Sequence, residues 1–88
     1  MWLPEDSGMT TNTQPLLLFR RDPARNMARF YGLSVEPSLF AEHALVRRWG
    51  RIGTIGQSLT EFYSSESEAV LRLEALSAQK RRRGYRAE

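Results

Sequence analysis

The amino-acid sequence predicts an α+β fold: a twisted, mainly antiparallel sheet of about four strands with one C-terminal helix packed across it. Three observations carry that prediction. Apolar and polar residues alternate with period two through most of residues 16–63. A stripe of helical period is confined to residues 66–83. Between the third and fourth alternating segments, Gly50, Gly53 and Gly56 recur at every third position, which permits tight turns.

Residues 16–21 read as a first strand, apolar at its start and basic at its end. Asp22-Pro23-Ala24-Arg25-Asn26 is turn chemistry, since Asp bonds the backbone two residues on and Pro presets a turn dihedral. Over 27–36, Met27, Arg29, Tyr31, Leu33 and Val35 share one face, and Ala28, Phe30, Gly32, Ser34 and Glu36 share the other. Tyr31, Leu33 and Val35 are the natural inward set, and Pro37-Ser38 ends the strand. A third strand is expected over 40–49, with His43, Leu45, Arg47 and Trp49 alternating against Ala44, Val46 and Arg48. The fourth, over 57–63, turns Leu59 and either Phe62 or Tyr63 inward.

The helix is expected over 66–83. Ser65 and Glu68 have the spacing of a capping box, and Ala69, Val70, Leu73, Leu76 and Ser77 fall on one face. Glu68 and Arg72 are spaced for an i,i+4 ion pair. Lys80 to Arg83 put cations where the helix dipole favours them, Gly84 is a natural stop, and Tyr85 is expected to fold back onto the core. Residues 1–14 show no hydrophobic period and read as a disordered arm, leaving 15–88 as the domain.

Composition narrows the function. The 88 residues are enough for one small domain. There is no cysteine, which excludes disulfides, thiolate metal sites and cysteine nucleophiles and suits the cytoplasm. The longest apolar run, residues 16–19, falls far short of the roughly 20 residues of a membrane span, and no secretory signal opens the chain. His43 is the single histidine, with no ligand-spaced partners, and the glycines near 53 lack a phosphate-loop ending. Neither a catalytic site, a metal site, a cofactor nor a small-molecule substrate is therefore expected. The net charge is +3, and Glu5 and Asp6 are the only charges in residues 1–14, so the remainder carries +5. Such a balance favours polyanionic partners.

The segment Val46-Arg47-Arg48-Trp49-Gly50-Arg51-Ile52-Gly53-Thr54-Ile55-Gly56-Gln57 resembles the signature of the WGR family, named for the triplet found here at Trp49-Gly50-Arg51. Supporting blocks lie in the family's order. They are Asn26-Met27-Ala28-Arg29-Phe30-Tyr31 before the second strand, Ser65-Glu66-Ser67-Glu68-Ala69 at the helix start, and Lys80-Arg81-Arg82-Arg83-Gly84-Tyr85 at the close. WGR domains occur in poly(ADP-ribose) polymerases, in a bacterial molybdate-metabolism regulator and as short free-standing bacterial proteins. In the polymerases the domain binds damaged DNA and relays that binding to a catalytic domain. The signature Trp packs on sugar at a DNA end, and the signature Arg contacts DNA or neighbouring domains. The resemblance carries these roles to Trp49 and Arg51 and implies binding without the relay, since no zinc finger or transferase fold is legible here. His43 departs from the family, where an aromatic is common.

The candidate nucleic-acid residues are Trp49, Gly50, Arg51, Arg47, Arg48, Lys80, Arg81, Arg82, Arg83 and Arg86. Trp49 at a strand end suits stacking on a nucleotide, and the competing reading makes it a core residue covering the thin end of the sheet. Strand alternation places Arg47 on the side of Trp49 and Arg48 opposite, and their planar forks suit phosphate. Four consecutive cations from Lys80 spread around a helix axis, which suits non-specific attraction more than sequence reading. The expectation is a non-enzymatic, largely sequence-independent nucleic-acid-binding module, with DNA favoured over RNA. The alternative is an adaptor that docks an acidic protein through the same surface.

Overall fold

Alternation survives into three dimensions because one face of each alternating segment can be buried under a single helix. The computed structural model describes residues 14–39 and 42–88. The expected arm and the start of the expected third strand, residues 40–41, lie outside these. The chain runs β1 (Leu16–Asp22), a 3-10 turn (Pro23–Arg25), β2 (Met27–Pro37), β3 (His43–Arg51), β4 (Gln57–Tyr63), α1 (Glu66–Arg82) and β5 (Arg86–Ala87). All pairings are antiparallel, and the five-stranded sheet has the order β4-β3-β2-β1-β5. The fifth strand is an addition to the expected four. Its two residues sit beside Leu18 and Phe19 of β1 and carry no period of their own.

The core lies between the helix and one sheet face. Leu18, Tyr31, Leu33, Val35 and Leu45 supply the sheet side, and Ala69, Leu73 and Leu76 the helix side. Leu18 and Leu45 are wholly buried, each contributing about 1.5–3 kcal/mol. Tyr85 folds back and is buried at the edge of this cluster, as its position after the helix stop predicts. On β4, Tyr63 packs against the core and Phe62 points to the opposite face, while Leu59 stays about half exposed. No helix among the described residues is long and apolar enough to cross a membrane.

Local chemistry sets the ends of the helix. The Ser65 hydroxyl accepts from the Glu68 amide at 3.2 Å, the first half of the capping box. The reciprocal half is absent, since the Glu68 carboxylate accepts from the Ser64 hydroxyl at 3.0 Å instead. At the other end the Tyr85 amide donates to Lys80 and the Gly84 amide to Arg81, a Schellman close that aims the chain back at the sheet. The expected Glu68–Arg72 pair is replaced: Arg72 Nε lies 3.6 Å from Glu61 of β4, so it pins helix to sheet.

The loop after β3 is built on a backbone contact. A Cβ at Gly50 would lie 2.8 Å from the Gly56 Cα, and one at Gly56 would lie 2.3 Å from the Trp49 carbonyl oxygen. Gly56 also has φ +77. By contrast, a Cβ at Gly53, where φ is +95, meets nothing within 4 Å. Chemical denaturation of Gly56→Ala is therefore expected to show a loss above about 3 kcal/mol, strain and clash together. Gly53→Ala is expected to lose only the conformational cost of about 1–2 kcal/mol. Equal losses would contradict the contact.

Candidate functional site

Strand register decides which side chains meet. Tyr31 of β2 lies opposite Trp49 of β3, Arg29 opposite Arg51, and Leu33 opposite Arg47. All share the helix-covered face, but α1 and the Tyr85 close cover only part of it. Beyond the covered part opens a pocket of about 380 Å³ walled by Arg29, Tyr31, Trp49, Arg51, Lys80 and Tyr85, with Phe30 and Gly50 at its edge.

Aromatic rings form its floor. Tyr31 and Trp49 stack with centroids 6.4 Å apart and planes at 28°, and Tyr85 meets Tyr31 edge-on at 6.3 Å. Trp49 is half-buried and packs against the core cluster, as the core reading expects, and part of it also faces the pocket. It supports the fold with one side and lines the pocket with the other.

The cations divide by what holds them. Arg47 is tied down: Nε donates to the Tyr31 hydroxyl at 2.9 Å, one terminal nitrogen donates to Glu61 at 2.8 Å, and the guanidinium lies 6.0 Å from the Trp49 ring centroid. The Tyr63 hydroxyl donates to the same carboxylate at 2.6 Å. That bond above all, with Arg47 and Arg72, holds Glu61 below the ordinary carboxylate range against its partial burial. Arg47 was expected to clamp phosphate; here its guanidinium is engaged by Tyr31 and Glu61.

Arg51 is exposed and aimed by the backbone. Its terminal nitrogens reach the carbonyl and the side-chain oxygen of Asn26, both at 3.3 Å. Asn26 sits in the left-handed region at φ 52, which turns both oxygens toward β3. Lys80 is the one member of the basic run that faces the pocket, with its ammonium 4.5 Å from the Tyr31 centroid and 5.6 Å from that of Tyr85. Desolvation, then the charges of Arg83, Arg47 and Arg29, push its pKa below the ordinary lysine value. No carboxylate among the described residues lines the pocket or pairs with Arg29, Arg51 or Lys80.

The remaining candidates scatter. Arg81 and Arg82 are exposed on other faces of the helix, with Arg81 donating to the Ser77 hydroxyl at 3.2 Å. Arg48 projects from the opposite side of the sheet and donates to the Ile55 carbonyl at 2.7 Å. Arg86 lies opposite Phe19, also on the side away from the helix. Four pocket residues were absent from the sequence-derived set, Arg29, Phe30, Tyr31 and Tyr85, as was Asn26, which holds Arg51. The sequence places Arg29 on the face of Tyr31, but only the register sets that pair beside Trp49 and Arg51.

Replacing Arg47 by Ala removes the bonds to Tyr31 and Glu61 together. It is expected to lower stability by about 1–3 kcal/mol in denaturant titrations. An unchanged midpoint would show that the pair holds nothing.

An uncharacterized protein of Sinorhizobium fredii is 50% identical over 76 residues, which is 84% of this chain and 37% of that protein. The chain thus spans little more than a third of the length of the relative it matches. No solved structure matches it. The family model described as WGR domain matches residues 14–88, from β1 to the last residue. The chain belongs to the WGR domain family.

Proposed function

We propose that this chain is a non-enzymatic, largely sequence-independent nucleic-acid-binding module that takes the sugar-phosphate backbone of DNA, in preference to RNA, into the Trp49 pocket. The observation that carries the reading is the uncompensated charge over an aromatic floor. Arg29 and Arg51 face each other directly across two strands, an arrangement that opposes folding by about 0.2–1 kcal/mol. Lys80 adds a third, partly desolvated cation. A structural role would pair these charges with carboxylates, as Arg47 is paired, whereas phosphate would neutralise them from outside. The half-exposed Trp49 ring then offers sugar or base a stacking surface. WGR membership supports the same reading.

An acidic protein segment is the competing ligand for the same cations. It would make no use of the stacked rings, which is why we favour nucleic acid.

Fluorescence anisotropy with blunt, nicked and single-stranded DNA and with RNA tests the proposal. Trp49→Ala is expected to weaken DNA binding about tenfold, the worth of one stacked ring. Arg51→Ala is expected to do the same by losing a charge-assisted contact, while its thermal midpoint stays near that of the parent. With Arg29, Arg51 and Lys80 engaged, the logarithm of affinity should fall against the logarithm of salt with a slope of about −3. Tight binding to polyglutamate with none to nucleic acid at low salt would overturn the proposal.

Lys80 gives a pH signature. Its pKa is depressed in the free protein, and a bound phosphate would raise it, so binding takes up a proton in the alkaline range below 10.5. Affinity is expected to decline as pH climbs through that range. Lys80→Arg should flatten the decline while keeping neutral-pH affinity. A decline of the same size in that variant would assign the effect to other groups.

A further inference from the structure

The helix covers only one face of the sheet, and the other carries chemistry that the Trp49 pocket does not use. Phe19 of β1 and Phe30 of β2 stand opposite one another in register on the uncovered face. Beside them Gly32 has no side chain, and a trough of about 310 Å³ opens over it, with Leu17 on one bank and Arg48 on the other. A Cβ at Gly32 would meet nothing closer than 3.6 Å, so the gap is space left open and not space the backbone needs.

Cations flank the aromatic pair. The Arg21 guanidinium lies 4.9 Å from the Phe19 centroid, Arg86 sits across from Phe19, and Arg48 is fixed at the rim by its bond to Ile55. No carboxylate among the described residues lines the trough. Arg21 does pair with Glu88, but both side chains are about half exposed and such a pair is weak. Arg48 and Arg86, basic residues that the pocket leaves out, thus meet on one surface.

The trough and the pocket open on opposite faces of the sheet, with the turn after β3 between them. Phe30 borders both, and the pocket residue Arg51 leads directly into Ile52 and Gly53, which line the trough. No acidic side chain among the described residues lines either opening, so a strand that turned this edge would meet cations and apolar groups on both sides of it.

We infer that the uncovered sheet face is a second nucleic-acid surface, one that takes unpaired nucleotides running on from the Trp49 pocket. Flat bases stack on Phe19, on Phe30 and on the guanidinium plane of Arg21, in the manner of sheet platforms that bind single strands. Gly32 leaves the depth for a ring to lie against the sheet, and Arg48 and Arg86 meet the phosphates. This deepens the proposed function and rests on it. It narrows the substrate from nucleic acid in general to an end or junction where duplex meets single strand.

The test uses the full chain and three fluorescent DNAs: a blunt duplex, the same duplex with a single-stranded extension of about 6 nucleotides, and a thymidine strand of about 12 nucleotides. The extension is expected to improve affinity about tenfold over the blunt duplex. Gly32→Val, which fills the trough, should abolish that gain and weaken the free strand equally while leaving the blunt duplex within about twofold. The double variant Arg48→Ala/Arg86→Ala changes only exposed side chains, so it should do the same even where Gly32→Val unfolds. Trp49→Ala should weaken both duplexes. Equal affinity for the blunt and extended duplexes in the parent protein overturns the inference and leaves the pocket reading standing. Strand binding that depends on Gly32, with no binding to the blunt duplex, upholds the trough and removes the pocket reading. No binding to any of the three removes both. A dimer in sedimentation that Gly32→Val converts to monomer also overturns the inference, because it makes the trough a protein interface.

Discussion

Tyr31 and Trp49 face each other across β2 and β3, and their stacked rings are the constraint from which the rest of the site is built. A slip of one residue in this pairing would send Trp49 to the other side of the sheet and exchange every core residue of β3 for an outward one. Several contacts guard against it. Gly50 and Gly56 press backbone to backbone immediately after Trp49, Asn26 holds Arg51, and Arg47 reaches back to the Tyr31 hydroxyl. Each of these comes from a residue within two positions of Trp49 or from the partner of one. The signature is thus first a device for register. Its chemistry follows from the place that register gives the indole.

Two arginines of that signature have been put to different uses, and the difference is energetic. Arg47 lies under cover, where an unpaired charge would be costly, and it is satisfied by a carboxylate and a phenol. Arg51 lies in water and bonds only neutral oxygens, so its charge remains available. Placing Arg29 beside it costs a fraction of what one buried leucine contributes, so the fold can carry an unfavourable pair without strain on its stability. A domain this size could not carry many such pairs, and the cross-strand ones here centre on Arg29, which stands opposite both Arg51 and Arg20.

Most of the architecture was legible because burial imposes a period on the sequence. The fourth strand matches its expected bounds, the helix differs by one residue at its end, and Tyr85 folds back as its place after Gly84 suggests. What stayed hidden depends on contacts between elements. Arg72 could reach Glu68 one turn away or Glu61 on another strand, and nothing local decides between them. Arg86 and Ala87 are a strand only because β1 presents a free edge to pair with. The site shows the same division. That one of four consecutive cations would face inward follows from the helical angle, but that it would be Lys80, over two tyrosines, required the packing.

A sheet with one helix has one face to spare, and among the described residues no second helix lies over it. The usual remedy is to make that face polar. Here Ser34, Glu36, Ser58 and Thr60 follow the rule, while Leu17, Phe19, Phe30, Val46 and Phe62 do not. Four of the departures lie on β1, β2 and β3 around the trough, and the nearest cation to Phe19 screens its ring from water with a guanidinium plane. Arg48 is the charge that lines the gap at Gly32, while the acidic members of this face, Glu36 and the Glu88 paired with Arg21, stay outside it. That open, arginine-walled gap fits the ligand we infer, flat and apolar in its faces and negative along its edge.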